Sequence, residues 1–289
     1  MKKEIIEDID YELEERHHPI RKTFFTIVLI IALTIVYARY LGTSGLFVKE
    51  YNIKSNNITD TYNGLKIVHF SDFHYGRTTY LEELKYLVND INKTKPDIIV
   101  FTGDFIDKDT KINDKDMNNI TEELKKLNST YGNYFINGNH DNKYDKYNQM
   151  MVNANFIDLN NKYDVIYNKN NETIIISGLN TKADTKFLEE AFKDKFYNYK
   201  INIMHYPDDI KLIKDYNYDL VLAGHCHNGQ IALPFYGAVI IPEHCKKYHK
   251  PYNKINNTNL YISSGIGVSK YNFRLFNRPS YNLYRLTNK

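Results

Sequence analysis

The stretch YDLVLAGHCHNGQ, residues 218–230, joins a short apolar run, Leu220 to Gly224, directly to two histidines, His225 and His227, separated only by Cys226. An apolar run of that length bounded by turn residues reads as a buried strand. Two imidazoles at i and i+2 can share one side of an extended chain, so the strand ends in a pair of potential metal ligands.

Working outward, the same pattern recurs. LKIVHF leads into Ser71, Asp72, Phe73 and His74; DIIVFT leads into Gly103 and Asp104; YFIN leads into Gly138, Asn139, His140 and Asp141; INIM leads into His205. Five strand ends therefore deliver carboxylate, carboxamide or imidazole groups, and the carboxyl ends of strands are where layered sheet enzymes gather their sites. Taken singly, an Asp-x-His is compatible with a helix cap and a Gly-Asp with a turn. Five in register point to one site.

Between these strands lie helical patterns, TTYLEELKYLVNDINK, DKDMNNITEELKKLN, a Tyr- and Met-rich stretch to about Ala154, Thr185 to Phe196, and DDIKLIKDY. The middle, residues 156–180, reads as short strands with Asn-rich turns; LYISSGIG and SYNLYRL near the end read as strands. Alternating strands and helices predict a layered α/β protein with helices outside the sheets.

The donor set contains oxygen and nitrogen without thiolate, which suits manganese foremost, with iron or zinc as alternatives. Asp72, His74, Asp104, Asn139, His205, His225 and His227 are too many for one tetrahedral ion, and fit two divalent ions sharing a carboxylate. Such a pair, about 3.5–4 Å apart, can hold a hydroxide and stabilise both entering and leaving oxygens of an in-line displacement at phosphorus.

Composition sets the surroundings. The 289 residues carry 38 basic and 35 acidic side chains, a net charge of +3, which offers no basic field for nucleic acid. Two cysteines, Cys226 and Cys245, are too few for a disulfide framework but are able to pair; Cys226 is otherwise expected to pack inward as a small apolar residue. From Phe24 to Ala38 the chain carries no charge, and with Arg39 snorkelling the apolar region reaches Leu41, close to the length a membrane-spanning helix needs. Lys2, Lys3, Arg16, Arg21 and Lys22 precede it, against Arg39, Lys49 and Lys54 after it, an excess that favours a cytoplasmic N-terminus with the main domain outside. The expected division is a cytoplasmic segment 1–22, a single-pass anchor in the cell membrane 23–41, a linker 42–63 and a catalytic domain 64–289.

The ordered set DFH, GD, GNHD, the lone His of MHYP, and GHCH resembles the signature of calcineurin-like metallophosphoesterases over about Leu65 to the C-terminus. GLKIVHFSDFH and LYISSGIG are similar to the small bacterial membrane-associated branch. The resemblance implies a two-sheet β-sandwich flanked by α-helices. Asp72, His74, Asp104 and His227 would hold one metal, and Asp104, Asn139, His205 and His225 the other. His140 would face the phosphate as general acid or charge stabiliser, oriented by Asp141. The branch usually continues Gly-His-Thr-His-Gly-Gly-Gln, where this chain has Cys226 and Asn228. His244, Cys245 and His249 mimic a further metal cluster and are expected on a loop at the pocket mouth. Arg274 and Arg278 are candidate anion contacts or solvated surface residues.

The implied activity is a membrane-anchored phosphodiesterase or pyrophosphatase, with lipid-linked or phospholipid substrates favoured by the anchor. The alternatives are a nuclease and a non-catalytic metal-stabilised binding module.

Overall fold

Residues 20–289 are described in a computed structural model. Two six-stranded sheets are built around central strands whose two faces are both buried, with more exposed strands at the edges. The first takes β1 (Phe47–Lys54), β2 (Leu65–Phe70), β3 (Ile98–Phe101), β4 (Gly132–Phe135), β5 (Phe156–Asp158) and β14 (Ser280–Thr287), in the order β1-β14-β2-β3-β4-β5. The second takes β6 (Lys162–Tyr167), β7 (Thr173–Leu179), β8 (Tyr199–Met204), β9 (Leu220–Ala223), β12 (Tyr252–Ile255) and β13 (Thr258–Ile262), in the order β12-β13-β9-β8-β7-β6. A separate hairpin joins β10 (Ala232–Leu233) to β11 (Gly237–Ala238).

Period-two alternation explains the layering. Ile67, Ile98, Val100, Ile201, Ile203, Leu220 and Leu222 pack between the two sheets. Their neighbours Val68, Phe70, Ile99 and Phe101 face the other way, onto α2 (Leu81–Thr94), α3 (Asp114–Leu124) and α4 (Tyr147–Asn153). Val221 and Ala223 likewise face Leu188 of α5 (Lys186–Phe192). The result is helix, sheet, sheet, helix, the two-sheet sandwich expected. In α2 the buried residues Leu84, Leu87, Val88 and Ile91 recur at helical spacing, and Glu83 closes the first turn by accepting the Tyr80 N–H at 2.8 Å.

Three expectations need correction. The linker over 42–63 contains β1, which pairs in parallel with β14 from Phe47↔Ser280 to Lys54↔Thr287, so the folded body begins before residue 64. The helix over DDIKLIKDY is instead two 3-10 turns, Pro207–Leu212 and Lys214–Tyr216. Its buried residues, Pro207, Ile210 and Ile213, fall every three residues, the 3-10 period, and Asp208 is held by the backbone N–H groups of Lys247 and Tyr248. The helix expected from Thr185 to Phe196 ends at Phe192.

Ahead of the body runs α1 (Ile20–Leu41), whose last turn, Tyr37–Leu41, is π-type. It is long and apolar enough to cross a membrane, with mean hydropathy 2.1 over its most apolar window. The expected segment 1–22 lies largely outside the described residues.

Candidate active site

The registers bring the strand ends level. Phe70, Phe101 and Phe135 pair across β2, β3 and β4, and Met204, Ala223 and Ile262 pair across β8, β9 and β13. All five predicted loops therefore emerge at one end of the sandwich.

Two clusters form there, each of ligand atoms within 4.8 Å of one another: Asp72 with His74 and His227, and Asp104 with His205 and His225. Asp104 also groups with His74 and His140, and so lies between the two. The His74 and His227 Nε2 atoms are 3.1 Å apart, and His227 Nε2 is 3.5 Å from Asp72 Oδ1. On the other side, His205 Nε2 is 3.4 Å from Asp104 Oδ2 and 3.1 Å from Asn139 Oδ1. All seven expected ligands converge.

The backbone is bent to make this happen. Asp72, His74, Asp104, His225 and His227 all have positive φ, between 47° and 65°, a conformation that costs free energy and that concentrates at functional sites. Gly103 and Gly138 allow the loops after β3 and β4 to touch: a Cβ on Gly103 would meet Gly138 N at 2.3 Å, and one on Gly138 would meet Asp104 Oδ1 at 2.1 Å.

Hydrogen bonds orient the imidazoles. His205 Nδ1–H donates to Thr102 O at 2.7 Å, which turns its Nε2 inward. His225 Nε2–H donates to Glu243 O at 3.0 Å, leaving Nδ1 for the centre. His140 Nδ1 accepts the Lys108 N–H at 3.1 Å, so the neutral ring carries its proton on Nε2, 3.9 Å from Asp104 Oδ2.

Electrostatics sets the charge states of the donors, which a cation needs as ionised carboxylates and neutral imidazoles. Burial alone would raise Asp72 and Asp104, but His227 beside the first and His205 beside the second hold both carboxyls well below the usual range. Burial, with neighbouring His205, pushes His225 down to about 3; burial also takes His227 down to about 4, against the pull of Asp72. Burial opposes His205 too, yet the Asp104 carboxylate raises it to about 9. Ionised carboxylates and the neutral imidazoles of His225 and His227 form an oxygen and nitrogen donor set, and His205 must give up the proton that Asp104 holds on it before it can ligate. The Nδ1 of His74 and Oδ2 of Asp107, buried without hydrogen-bond partners 3.5 Å apart, stand ready to pair once His74 is held from its other nitrogen.

Asp141 does not orient the His140 ring. Its carboxylate accepts the backbone N–H groups of Asp104, Phe105 and Gly138 at 2.7–2.8 Å, fastening the β3 and β4 loops together. Burial and the nearby Asp104 charge push its carboxyl up to about 7, against those three donors. The carboxylate facing His140 is Asp107, 3.6 Å from its Nδ1. Asp107 follows Asp104 by three residues in GDFID, a spacing open to view in the sequence but not singled out there.

Two further residues depart from expectation. Arg274 is neither solvated nor an anion contact: it is fully buried, donating to the carbonyls of Ser264, Gly265, Gly267 and Asn277 at 2.6–3.1 Å. Its Nη2 lies 3.2 Å from His227 Nδ1, fixing the far side of that ring. Arg278 lies over the Phe47 ring at 4.3 Å. Cys226 packs inward, as expected, but as half of a disulfide with Cys245, which clips the His-x-His turn to the loop carrying Glu243 and His244. That loop lies at the mouth, with His244 stacked on Tyr206 at 4.0 Å.

Residues 65–229 match the family model described as calcineurin-like phosphoesterase. The metallophosphoesterase YkuE of Bacillus subtilis is 34% identical over 257 residues, covering 86% of this chain and 88% of its own. Phosphodiesterase YaeI of Escherichia coli is 26% identical, covering 76% of this chain and 82% of its own. The UDP-2,3-diacylglucosamine pyrophosphatase LpxG of Chlamydia trachomatis is 27% identical, covering 73% and 78%.

Proposed function

The chain belongs to the calcineurin-like phosphoesterase family, and we propose that it is a membrane-anchored phosphodiesterase or pyrophosphatase acting on lipid-borne phosphoesters. Hydrolysis of phosphoesters is the family's chemistry, and the family uses divalent metals. The observation that carries the reading is the pair of buried His and Asp clusters meeting at Asp104, with the His140 Nε2–H directed at the same space.

Asp72, His74, Asp104 and His227 would hold one ion, and Asp104, Asn139, His205 and His225 the other, manganese suiting these donors best. When bound, the two ions supply positive charge for the phosphoryl oxygens and a water-derived nucleophile at neutral pH. The chain does the rest. Asp104, which belongs to both clusters, would supply negative charge to either ion. His140, its tautomer held by the Lys108 N–H, donates from Nε2 to the oxygen on which charge develops. Asp107 sets a negative charge 3.5 Å from His74 Nδ1 and 3.6 Å from His140 Nδ1, and Asp141 keeps the two loops at fixed separation.

Three features support the membrane and lipid part: α1, the lipid-like substrate in the name of one relative, and the disulfide, a bond that persists in oxidising compartments and so favours the domain outside. A net charge of +3 gives nucleic acid little to bind.

The test is the full chain in nanodiscs, stripped of metal and reloaded with manganese, iron or zinc, against nitrophenyl monoester and diester, a phospholipid and a lipid diphosphate. Metal-dependent turnover of the diester and of one lipid substrate is expected. Turnover confined to the monoester would sink the reading.

A further inference from the structure

Two elements outside the catalytic machinery meet on one short segment. At the end of α1, Ala38 O accepts the Arg274 N–H at 2.9 Å, and Gly42 approaches so closely that a Cβ there would lie 2.0 Å from Arg274 O. Next to it, Leu275 is tied to the base of the β10–β11 hairpin: Ala232 N–H donates to Leu275 O at 3.0 Å and Leu275 N–H to Gln230 O at 3.3 Å. The hairpin is therefore fastened beside the point where α1 joins the body.

Its surface is unlike the rest of the domain. Residues 231–242, IALPFYGAVIIP, carry no charge. Leu233, Phe235, Tyr236, Val239, Ile240 and Ile241 are all exposed, Phe235 entirely. Phe276 and Tyr271, from the segment tied to α1, are exposed beside them. So contiguous an apolar patch marks an interaction surface. Two-residue strands have no second layer in which to bury it.

The hairpin also walls the mouth of the site. A cavity of about 250 Å³ lies between its base and the metal-ligand candidates, lined by His225, His227, Ile231, Ile240, Lys270 and Tyr271. On its other side, a cavity of about 260 Å³ is lined by Tyr236, Phe276 and Lys250. Exposed lysines thus flank an aromatic tip on both sides, the composition that settles at a membrane interface, aromatic rings at headgroup depth and cations toward anionic lipid.

We propose that the β10–β11 hairpin is a second membrane contact: Phe235 and Tyr236, with Phe276 and Tyr271, enter the headgroup boundary of the bilayer that α1 crosses, so that the mouth beside His225 and His227 opens onto the lipid surface. This rests on the reading of α1 as an anchor. The bilayer is the occupant because the patch is continuous with the end of α1 and carries the lysine and aromatic chemistry of an interface. A phosphoester whose apolar part remains in the bilayer would then reach the ligands along Ile231 and Ile240.

The chain contains no tryptophan, so one indole can be read alone. Phe235→Trp places it at the hairpin tip. Phe196→Trp places it at an exposed position before β8, at the opposite end of the strands. Both full chains are reconstituted in vesicles of phosphatidylcholine and phosphatidylglycerol, with or without brominated acyl chains. The expected result is a blue-shifted emission quenched by bromine in F235W and a water-like, unquenched emission in F196W. Because α1 is present in both, the difference reports the hairpin. Equal, unquenched emission from both would overturn the proposal; so would a blue shift in F235W that depends on protein concentration and ignores bromine, which would identify a second copy on the patch. In parallel, Phe235→Ser with Tyr236→Ser should lower turnover of a vesicle-borne phosphodiester, with soluble nitrophenyl diester turnover as the control for folding. Quenching intact in a chain that turns over no lipid would uphold the docking surface and reject the lipid substrate.

Discussion

The floor of the site and its rim are built on opposite physical terms. On the floor, every group of Asp72, Asp104 and Asp141 is buried, and backbone donors fix each carboxylate. At the rim, hairpin residues 233–237 are exposed, apolar in their side chains apart from the Tyr236 hydroxyl, and paired over only two residues per strand. Buried charge is tolerated only where hydrogen bonds and opposite charges compensate desolvation. Exposed apolar surface is tolerated where something covers it. The floor is therefore specified by chemistry within the chain, and the rim by its surroundings.

The sharpest way to break this contrast is at Asp104. Asp104→Asn removes the charge shared by both clusters, and metal content at both positions should fall, with affinity reduced by more than the about 10- to 100-fold that follows loss of an outer partner. Metal analysis of the dialysed protein decides it. Two ions retained with full turnover would remove Asp104 from its shared position.

His140→Gln should leave metal content unchanged and slow chemistry by about 100- to 10,000-fold. The loss should shrink for substrates with good leaving groups, so equal losses for nitrophenyl and alkyl esters would assign His140 to charge stabilisation alone. Asp107→Asn is expected to be milder, about 10- to 100-fold in metal affinity or turnover, since it acts through His74 and His140. Isothermal titration with manganese separates that loss from a change in kcat.

At the boundary between floor and rim, replacing Cys226 and Cys245 together by Ser should lower stability by about 2–4 kcal/mol, as expected for a loop of this size, read by urea unfolding. Turnover should fall less than in His140→Gln. A separate effect, outside the catalytic series, is one of pH on the metal-free chain. His69 and His227 are buried and His225 is half-buried, with proton affinities lowered to about 3, 4 and 3 respectively, so below the ordinary histidine value of 6.5 the unfolded chain binds more protons. Their stability contribution is present above 6.5 and is lost as pH falls toward 4. His205 has the opposite sign: raised to about 9, it stabilises the fold fully below 6.5 and loses that contribution as pH rises through 9. Melting temperature should therefore decline on both sides of neutrality, more steeply on the acid side, where three groups act together.

Much of this protein was open to reading in one dimension. Asp72, His74, Asp104, Asn139, His205, His225 and His227 each follow a strand, and because parallel strands in register end together, their convergence follows from local pattern alone. The alternation in LKIVHF and DIIVF likewise requires layers on both faces.

What the pattern left open depends on side-chain direction and on contacts distant in sequence. Asp141 is adjacent to His140, but its carboxylate turns toward the β3 loop, where three N–H groups await it; Asp107, 33 residues earlier, faces the ring instead. Arg274 reads as a surface arginine until the Ser264–Gly267 carbonyls are folded around it. The strand in 42–63 exists because β14, more than 200 residues later, offers a free edge. A sequence specifies which groups are chemically able to act and where each element ends; only the folded chain decides which of them face one another, because desolvation and hydrogen-bond geometry are settled by neighbours that the linear order does not name.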